Sequence, residues 1–358
     1  MYVVVYCPSI IIGYISSPGS VSDDLHYYVV LLGCMLLLIV SLYSAETYIF
    51  SKAHFYNKRV NNLFLNGLLL IHVVTLIYFY LNYQIGDIRE LLAFNVYDTR
   101  LQAREVSFGF SGYLIRFASN VSAPILLVYG LMNRNLIFIA FGFLSNFLIF
   151  LLEGSKSVFF MPFFLTFIFY VIRKDFNFNF LLLFLLLLIG GALFLDERFN
   201  TAYSSYIIRR TFIVPGLLTR VYHDVFSTEP TYQWTYNIFR FFQPPLMDIS
   251  PPYFVGYFYF GYADMSANAN PWADGFANDY TMGPFIETVI MIVFLILADY
   301  VGLGNRIFVA CALFASYYSI ISSSIFTSLL THGMIICLLV VALLLRKPQP
   351  ADVSMKVD

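Results

Sequence analysis

The sequence predicts an all-α protein, a polytopic bundle of about ten transmembrane helices, within a range of about nine to twelve. Two observations predict this class. Of the 358 residues, 60% are hydrophobic and only 11% are charged, whereas soluble domains carry roughly 25% charged residues. Long apolar stretches also recur along the chain. The net charge of −1 implies no bulk attraction to nucleic acid.

A spanning helix needs about 20 mostly apolar residues, and ten stretches of the chain reach or approach this length. The first stretch is the weakest, because it is short and contains Pro8. We treat residues 1–358 as one integral membrane domain. The predicted spans are 2–17, 26–45, 62–82, 109–132, 135–152, 157–172, 179–195, 284–302, 306–323 and 326–345.

Basic residues orient the predicted bundle, because cytoplasmic loops of membrane proteins are enriched in Lys and Arg. They follow every second span, which predicts that both termini are cytoplasmic. The opposite side then receives a large extracytoplasmic loop, 196–283, with short interfacial helices. The residues that set this orientation are Lys52, Lys58, Arg59, Arg134, Arg173, Lys174, Arg306, Arg346, Lys347 and Lys356.

Three arginines gather in SYIIRRTFIVPGLLTRVYHDVF, residues 205–226. The apolar spacing predicts two short helices, broken at Pro215–Gly216. The guanidinium groups of Arg209, Arg210 and Arg220 carry paired N–H donors whose geometry matches phosphate oxygens. Interfacial anchoring to anionic headgroups by ordinary snorkelling is the alternative.

His223 and Asp224 follow these arginines directly. Imidazoles titrate near neutral pH, so His223 is a candidate general base. An interfacial histidine that bonds a backbone carbonyl is the alternative. Adjacent helical residues point about 100° apart, so the two side chains need not meet.

Two further cations lie at the predicted outer ends of spans. Arg116 lies inside the fourth span, where an unpaired guanidinium costs roughly 2–3 kcal/mol. Lys156 lies in LLEGSKSVFFMP, 151–162, a predicted tight outer turn at Gly154. Snorkelling of Arg116 and an ordinary polar hairpin are the alternatives.

The run NANPWADGFANDYTMGPF, 268–285, is rich in amides and carboxylates. Asn268, Asn270 and Asn278 would both donate hydrogen bonds to hydroxyl groups and accept them, and Trp272 offers an apolar ring face. This chemistry suits a carbohydrate. A turn-rich loop that caps a helix is the alternative, because Asn, Asp, Gly and Pro are also turn formers.

The sequence contains no metal-ligand spacing, no phosphate-binding glycine loop and no nucleophile elbow. We therefore expect no metal and no cofactor.

These features together resemble the bacterial oligosaccharide repeat-unit polymerases, the Wzy-type polymerases of O-antigen and capsule. The resemblance rests on the many-span plan with a late outer loop and on three stretches, EGSKS at 153–157, RRTFIVPGLLTRVYHDVF at 209–226 and NANPWADGFANDYTMGPF. The arrangement of spans and loops is similar over most of the chain, whereas similar residues occur only in these three stretches. The N-terminus departs from the family, whose members often begin with one or two full spans.

The resemblance implies a C-type, metal-independent glycosyltransferase in the bacterial cytoplasmic membrane, with its active site facing outward. It would join repeat units carried on undecaprenyl diphosphate, with membrane lipid and a chain-length regulator protein as further partners. Arg209, Arg210, Arg220, Arg116 and Lys156 would bind the diphosphate. His223, then Asp224 and Asp274, would serve as the base.

Two rival functions remain open at this stage. A ligase similar to O-antigen ligase would transfer the same lipid-linked glycan to another acceptor. A flippase or exporter would move it without forming a bond. The inner halves of the predicted spans are almost wholly apolar, which favours an enzyme of the outer leaflet over a transporter.

Overall fold

The computed structural model describes residues 7–15, 25–50, 59–88, 99, 110–173, 178–199, 204, 209, 213–303 and 305–346. Within these ranges the regular structure is helical, apart from one short pairing in which Arg59–Val60 runs antiparallel to Leu345–Arg346. The predicted all-helical class is therefore confirmed for the described residues.

The helices are numbered in chain order. A π-helical turn, Ala45–Phe50, continues the helix that ends at Ser44, and a 3-10 turn, Ser319–Ser322, follows the helix that ends at Tyr318. The helices are α1 Cys7–Ile15, α2 Leu25–Ser44, α3 Asn62–Asn82, α4 Phe110–Asn133, α5 Leu136–Glu153, α6 Lys156–Arg173, α7 Phe178–Phe199, α8 Val214–Phe226, α9 Pro251–Phe258, α10 Pro271–Asp279, α11 Met282–Gly302, α12 Arg306–Tyr318 and α13 Ile325–Leu344. In α13, a turn at 331–333 separates Ile325–Leu330 from Met334–Leu344.

Seven helices in the described ranges, α2 to α6, α11 and α13, are long and apolar enough to cross a membrane. The chain is thus a polytopic helical membrane protein. The other three predicted spans are not among these seven helices. The described part of the first span, Cys7–Ile15, forms α1, and α12 with its 3-10 turn is a shorter apolar helix. Helix α7, Phe178–Phe199, covers the predicted span 179–195 and continues through Asp196, Glu197 and Arg198.

The chain forms two compact units. The first unit contains Met1–Lys52, Phe178–Ile296 and Ser319–Thr327. The second unit contains Ala53–Asn177, Leu297–Tyr318 and Ser328–Asp358. Each unit is built from segments that are distant in sequence.

Helix α4 is the central helix of the second unit, because 72% of its apolar window is buried, against 39% or less for every other candidate span. A π turn at Ala118–Ser122 interrupts it, and the N–H of Ala123 donates to the carbonyl of Ala118. Around its N-terminal half, Phe79 of α3 and Ile149 of α5 pack with Ile115 into one apolar cluster.

The hairpin between α5 and α6 agrees with the turn predicted in 151–162. Asn135 caps the start of α5 by accepting from the N–H groups of Ile137 and Phe138. Gly154 ends the helix with φ 64°, a left-handed conformation that glycine adopts without steric cost. Helix α6 then begins at Lys156.

In the first unit, α1 and α8 cross at two glycines. A Cβ added to Gly216 would lie 2.5 Å from the Cα of Gly13, and one added to Gly13 would lie 2.8 Å from the Cα of Gly216. Small residues let helix backbones approach closely. This crossing brings the end of α1 against the side chains of α8.

Candidate functional site

Helix α8 carries the candidate catalytic residues. Two helices broken at Pro215–Gly216 were predicted, and most residues of the first one lie outside the described ranges. The second is α8, which begins at Val214 and has Pro215–Gly216 in its first turn. Proline is favoured in the first turn of a helix, where its missing N–H is not needed. The side chain of Asn270 fixes this start, because its Nδ2 donates to the Pro215 carbonyl at 3.1 Å and to Thr219 Oγ1 at 2.8 Å.

Arg220, His223 and Asp224 form one cluster with Tyr14 of α1. The Nε of Arg220 lies 2.8 Å from Asp224 Oδ1, one helical turn away, and its guanidinium carbon lies 5.3 Å from the centre of the Tyr14 ring. The Nδ1 of His223 lies 3.7 Å from the same Asp224 oxygen and 3.5 Å from the Tyr14 hydroxyl. The adjacent histidine and aspartate therefore do approach each other.

Exposure within this cluster increases towards the carboxylate. The side chains of Arg220 and His223 are 11% and 14% exposed, while that of Asp224 is 34% exposed. Solvent therefore reaches the Asp224 carboxylate more readily than the His223 ring.

Aromatic rings hold the His223 imidazole from two further directions. Tyr27 of α2 stacks on it at 4.6 Å with an interplanar angle of 12°, and Phe276 of α10 lies at 4.9 Å. The Tyr27 hydroxyl donates to the backbone carbonyl of Trp272 at 3.1 Å. The ring orientation is thus set by α1, α2, α8 and α10 together.

A pair of buried carboxyl groups lies deeper in the first unit. Asp274 and Glu287 are hydrogen-bonded to each other. Asn278 Nδ2 donates to Asp274 Oδ2 at 3.0 Å, while Trp234 Nε1 and the N–H of Ile325 donate to the two oxygens of Glu287 at 3.1 and 3.3 Å. Two carboxyl groups can bond to each other only if one carries a proton.

The pKa of Asp274 fits this arrangement. Burial raises it from an ordinary value of 3.8 to about 6, against the opposing effects of the bonds to Glu287 and Asn278. The predicted role of Asp274 as a reserve base therefore gains little support, because its side chain is buried and already bonded within the protein.

The predicted sugar-binding residues divide into two groups. Trp272, Asn270 and Asn278 are buried, and their polar atoms bond to the protein: Trp272 Nε1 donates to Thr288 Oγ1, and Asn278 Oδ1 accepts from the N–H of Trp234. Asn270 caps α10. These contacts favour a role for the three side chains in stabilising the fold over a role in binding sugar. Asn268 is exposed, and sugar binding there stays a prediction.

The predicted diphosphate-binding cations belong to different parts of the chain. Arg209 of the first unit is exposed, and Arg210 lies outside the described residues. Arg116 and Lys156 belong to the second unit, where Arg116 Nη2 forms an ion pair of 2.7 Å with Glu153 Oε1. Arg116 is therefore paired, as an arginine in a membrane helix requires.

The roles of Tyr14, Tyr27 and Glu287 were not predicted from the sequence. Glu287 gave a signal, since it is an ionisable residue inside an apolar span. The two tyrosines gave none, because aromatic residues are abundant throughout the chain.

Within the described ranges, no group of three or more His, Cys, Asp and Glu side chains is arranged to hold a metal ion. No protein-family model, curated protein or solved structure matches this chain.

Proposed function

We propose that this protein is a membrane glycosyltransferase that polymerises oligosaccharide repeat units carried on undecaprenyl diphosphate, at the outer face of the bacterial cytoplasmic membrane. The product would be O-antigen or capsular polysaccharide. The observation that carries the proposal is the cluster of Arg220, His223, Asp224 and Tyr14 at a partly exposed edge of the first unit.

The proposed reaction begins with a hydroxyl group of the incoming unit. Its oxygen attacks the anomeric carbon of the nascent chain, and a new C–O bond forms. The bond between the anomeric carbon and the phosphate oxygen breaks, and its electron pair leaves with undecaprenyl diphosphate. The hydroxyl proton passes to Nε2 of His223, whose Nδ1 faces Asp224 and Tyr14.

Arg220 takes a different role in this proposal from the one expected from its sequence. Its ion pair with Asp224 and its position over Tyr14 commit it to holding the carboxylate beside His223. The negative charge that develops on the leaving diphosphate is then stabilised by Arg209 and Arg210, whose forks match phosphate oxygens.

The experiment replaces the proposed base. His223→Ala, expressed in cells that depend on this protein for long glycan chains, should lower polymerisation by about 100-fold or more. Single repeat units should still reach the surface lipid, and the amount of protein in the membrane should not change. The control is His26→Ala, because His26 is an exposed histidine of the same unit.

Each alternative result has a distinct meaning. Normal chain lengths in the His223→Ala strain would refute the assigned base. Long chains that form but are not attached to their acceptor would indicate a ligase. Loss of even single repeat units from the outer face would indicate a flippase.

A further inference from the structure

An aromatic tip projects from the first unit between α8 and α9. Residues 238–242, with the sequence IFRFF, form a 3-10 turn, Ile238–Phe241, and the residue after it. Phe241 and Phe242 are 86% and 84% exposed, and Phe239 and Leu246 beside them are 44% and 56% exposed. An exposed apolar patch of this kind marks an interaction surface.

The root of the tip is fixed by bonds across the loop. The Tyr232 hydroxyl donates to the carbonyl of Ile249, and the Tyr236 hydroxyl donates to the carbonyl of Asp248, both at 2.8 Å. Thr235 Oγ1 accepts from the N–H of Leu246 at 3.1 Å. These hydrogen bonds connect residues 232–236, the root of the tip, to residues 246–249 on the other side of the loop, and so they fix the position from which the tip projects.

The root also contacts the beginnings of two membrane helices. Trp234 Nε1 donates to Glu287 of α11, which lies about 8 Å along the axis from the first residue of that helix at 1.5 Å per residue. The Trp234 ring meets Phe326, the second residue of α13, edge-on at 6.3 Å. The loop therefore begins at the level where α11 and α13 start, near the bilayer boundary.

The chemistry of the tip suits that boundary. Arg240 is exposed, and its guanidinium carbon lies 5.7 Å from the Tyr236 ring. Aromatic rings beside a basic side chain are typical of segments at the headgroup level, where apolar rings enter the acyl region and the cation meets lipid phosphates.

We infer that residues 239–242 insert into the headgroup–acyl boundary of the bilayer that holds this chain. Phe241 and Phe242 contact the acyl chains, and Arg240 contacts lipid phosphates. The tip thereby fixes the depth of the loop between α8 and α9 relative to the membrane. This inference does not depend on the proposed enzymatic activity.

Tryptophan fluorescence tests the inference on the purified full chain in phosphatidylcholine vesicles. The two native tryptophans are buried, at 8% and 0% exposure, so their signal is subtracted with the unaltered protein. The added fluorescence of Phe242→Trp should be quenched by lipids brominated near the glycerol end of the acyl chain. Bromines near the methyl end should quench it less, because interfacial segments lie only about 5–10 Å into the boundary.

The matched control is Asp264→Trp, which places the same reporter at an exposed polar position of the same unit. Its fluorescence should respond to aqueous iodide and not to brominated lipid. The inference is overturned if Phe242→Trp behaves like this control, which is also the result expected if the tip serves a protein partner absent from the vesicles. Phe241→Trp provides an independent second reading at the neighbouring position.

Discussion

Asp274 and Glu287 are buried side by side in the first unit and hydrogen-bonded to each other. Such a pair needs a proton on one partner. It also accepts from Trp234, Asn278 and Ile325, which belong to different parts of the unit. The pair therefore links α10 and α11 to the loop after α8 and to the start of α13.

We expect this pair to make folding stability depend on pH. The folded state holds the Asp274 proton up to about pH 6, whereas the unfolded chain releases it near 3.8. The contribution is fully present below the unfolded pKa and is lost as pH rises through the folded pKa. A shift of this size is worth roughly 3 kcal/mol.

The measurement is thermal unfolding in detergent between pH 4 and pH 7, as the difference between the unaltered protein and Asp274→Asn. The melting temperature of the unaltered protein should fall relative to that of Asp274→Asn as pH rises from about 4 to about 6. Asp264→Asn, at an exposed position, controls for loss of a carboxylate. A difference that stays constant with pH would mean that Asp274 is ionised in the folded state.

At the scale of the elements, the crossing of α1 and α8 determines the cluster geometry. Gly13 and Gly216 allow the two backbones to touch, and Tyr14 therefore reaches both Arg220 and His223. Because the obstruction to a larger residue is backbone, a rotamer change cannot relieve it.

Gly216→Ala should separate the two helices and lower stability by about 1–3 kcal/mol, the usual cost of overpacking. Thermal unfolding measures this loss. The control is Gly190→Ala in α7, where an added Cβ meets nothing within 4 Å and where alanine favours the helix. Equal melting temperatures for the two variants would show that α1 and α8 do not cross as described.

At the scale of the whole molecule, each compact unit combines segments that are far apart in the sequence. The candidate site follows the same pattern. Tyr14 and His223 are separated by 209 positions in the chain. The site therefore depends on the complete fold of the first unit and not on one local motif.

We expect the purified protein to polymerise lipid-linked repeat units in the presence of EDTA. The physical reason is that guanidinium groups can stabilise the departing diphosphate without a metal ion. Product length on a gel, with a synthetic lipid-linked repeat unit as substrate, measures this. Loss of activity that Mg²⁺ restores would contradict the proposed mechanism.

Local physical rules predicted much of the fold from the sequence. Seven of the ten predicted spans form helices long and apolar enough to cross a membrane, because hydrophobic length is a strong signal. Gly154 gave the turn before α6. The second of the two helices predicted in 205–226 begins at Val214, with Pro215 in its first turn, where proline is favoured.

The site was predicted only in part, because its contacts are long-range. Arg220, His223 and Asp224 were found from their residue types, and their proximity follows from one helix. The stacking of Tyr27 on His223 joins positions far apart in sequence, and no local sequence pattern predicts it. Asn270 and Asn278 were interpreted as sugar ligands because composition cannot distinguish an amide that faces solvent from one that braces a core.

The π turn at Ala118–Ser122 changes how the sequence of α4 must be projected. The N–H of Ala123 reaches back five residues to Ala118 instead of four, so one extra residue occupies that turn. A helical wheel drawn straight through 110–133 assigns the residues beyond the turn to faces about 100° away from their true ones. Deleting any one of the five residues would restore a regular ladder and would also swing Arg116 around the helix axis, away from Glu153.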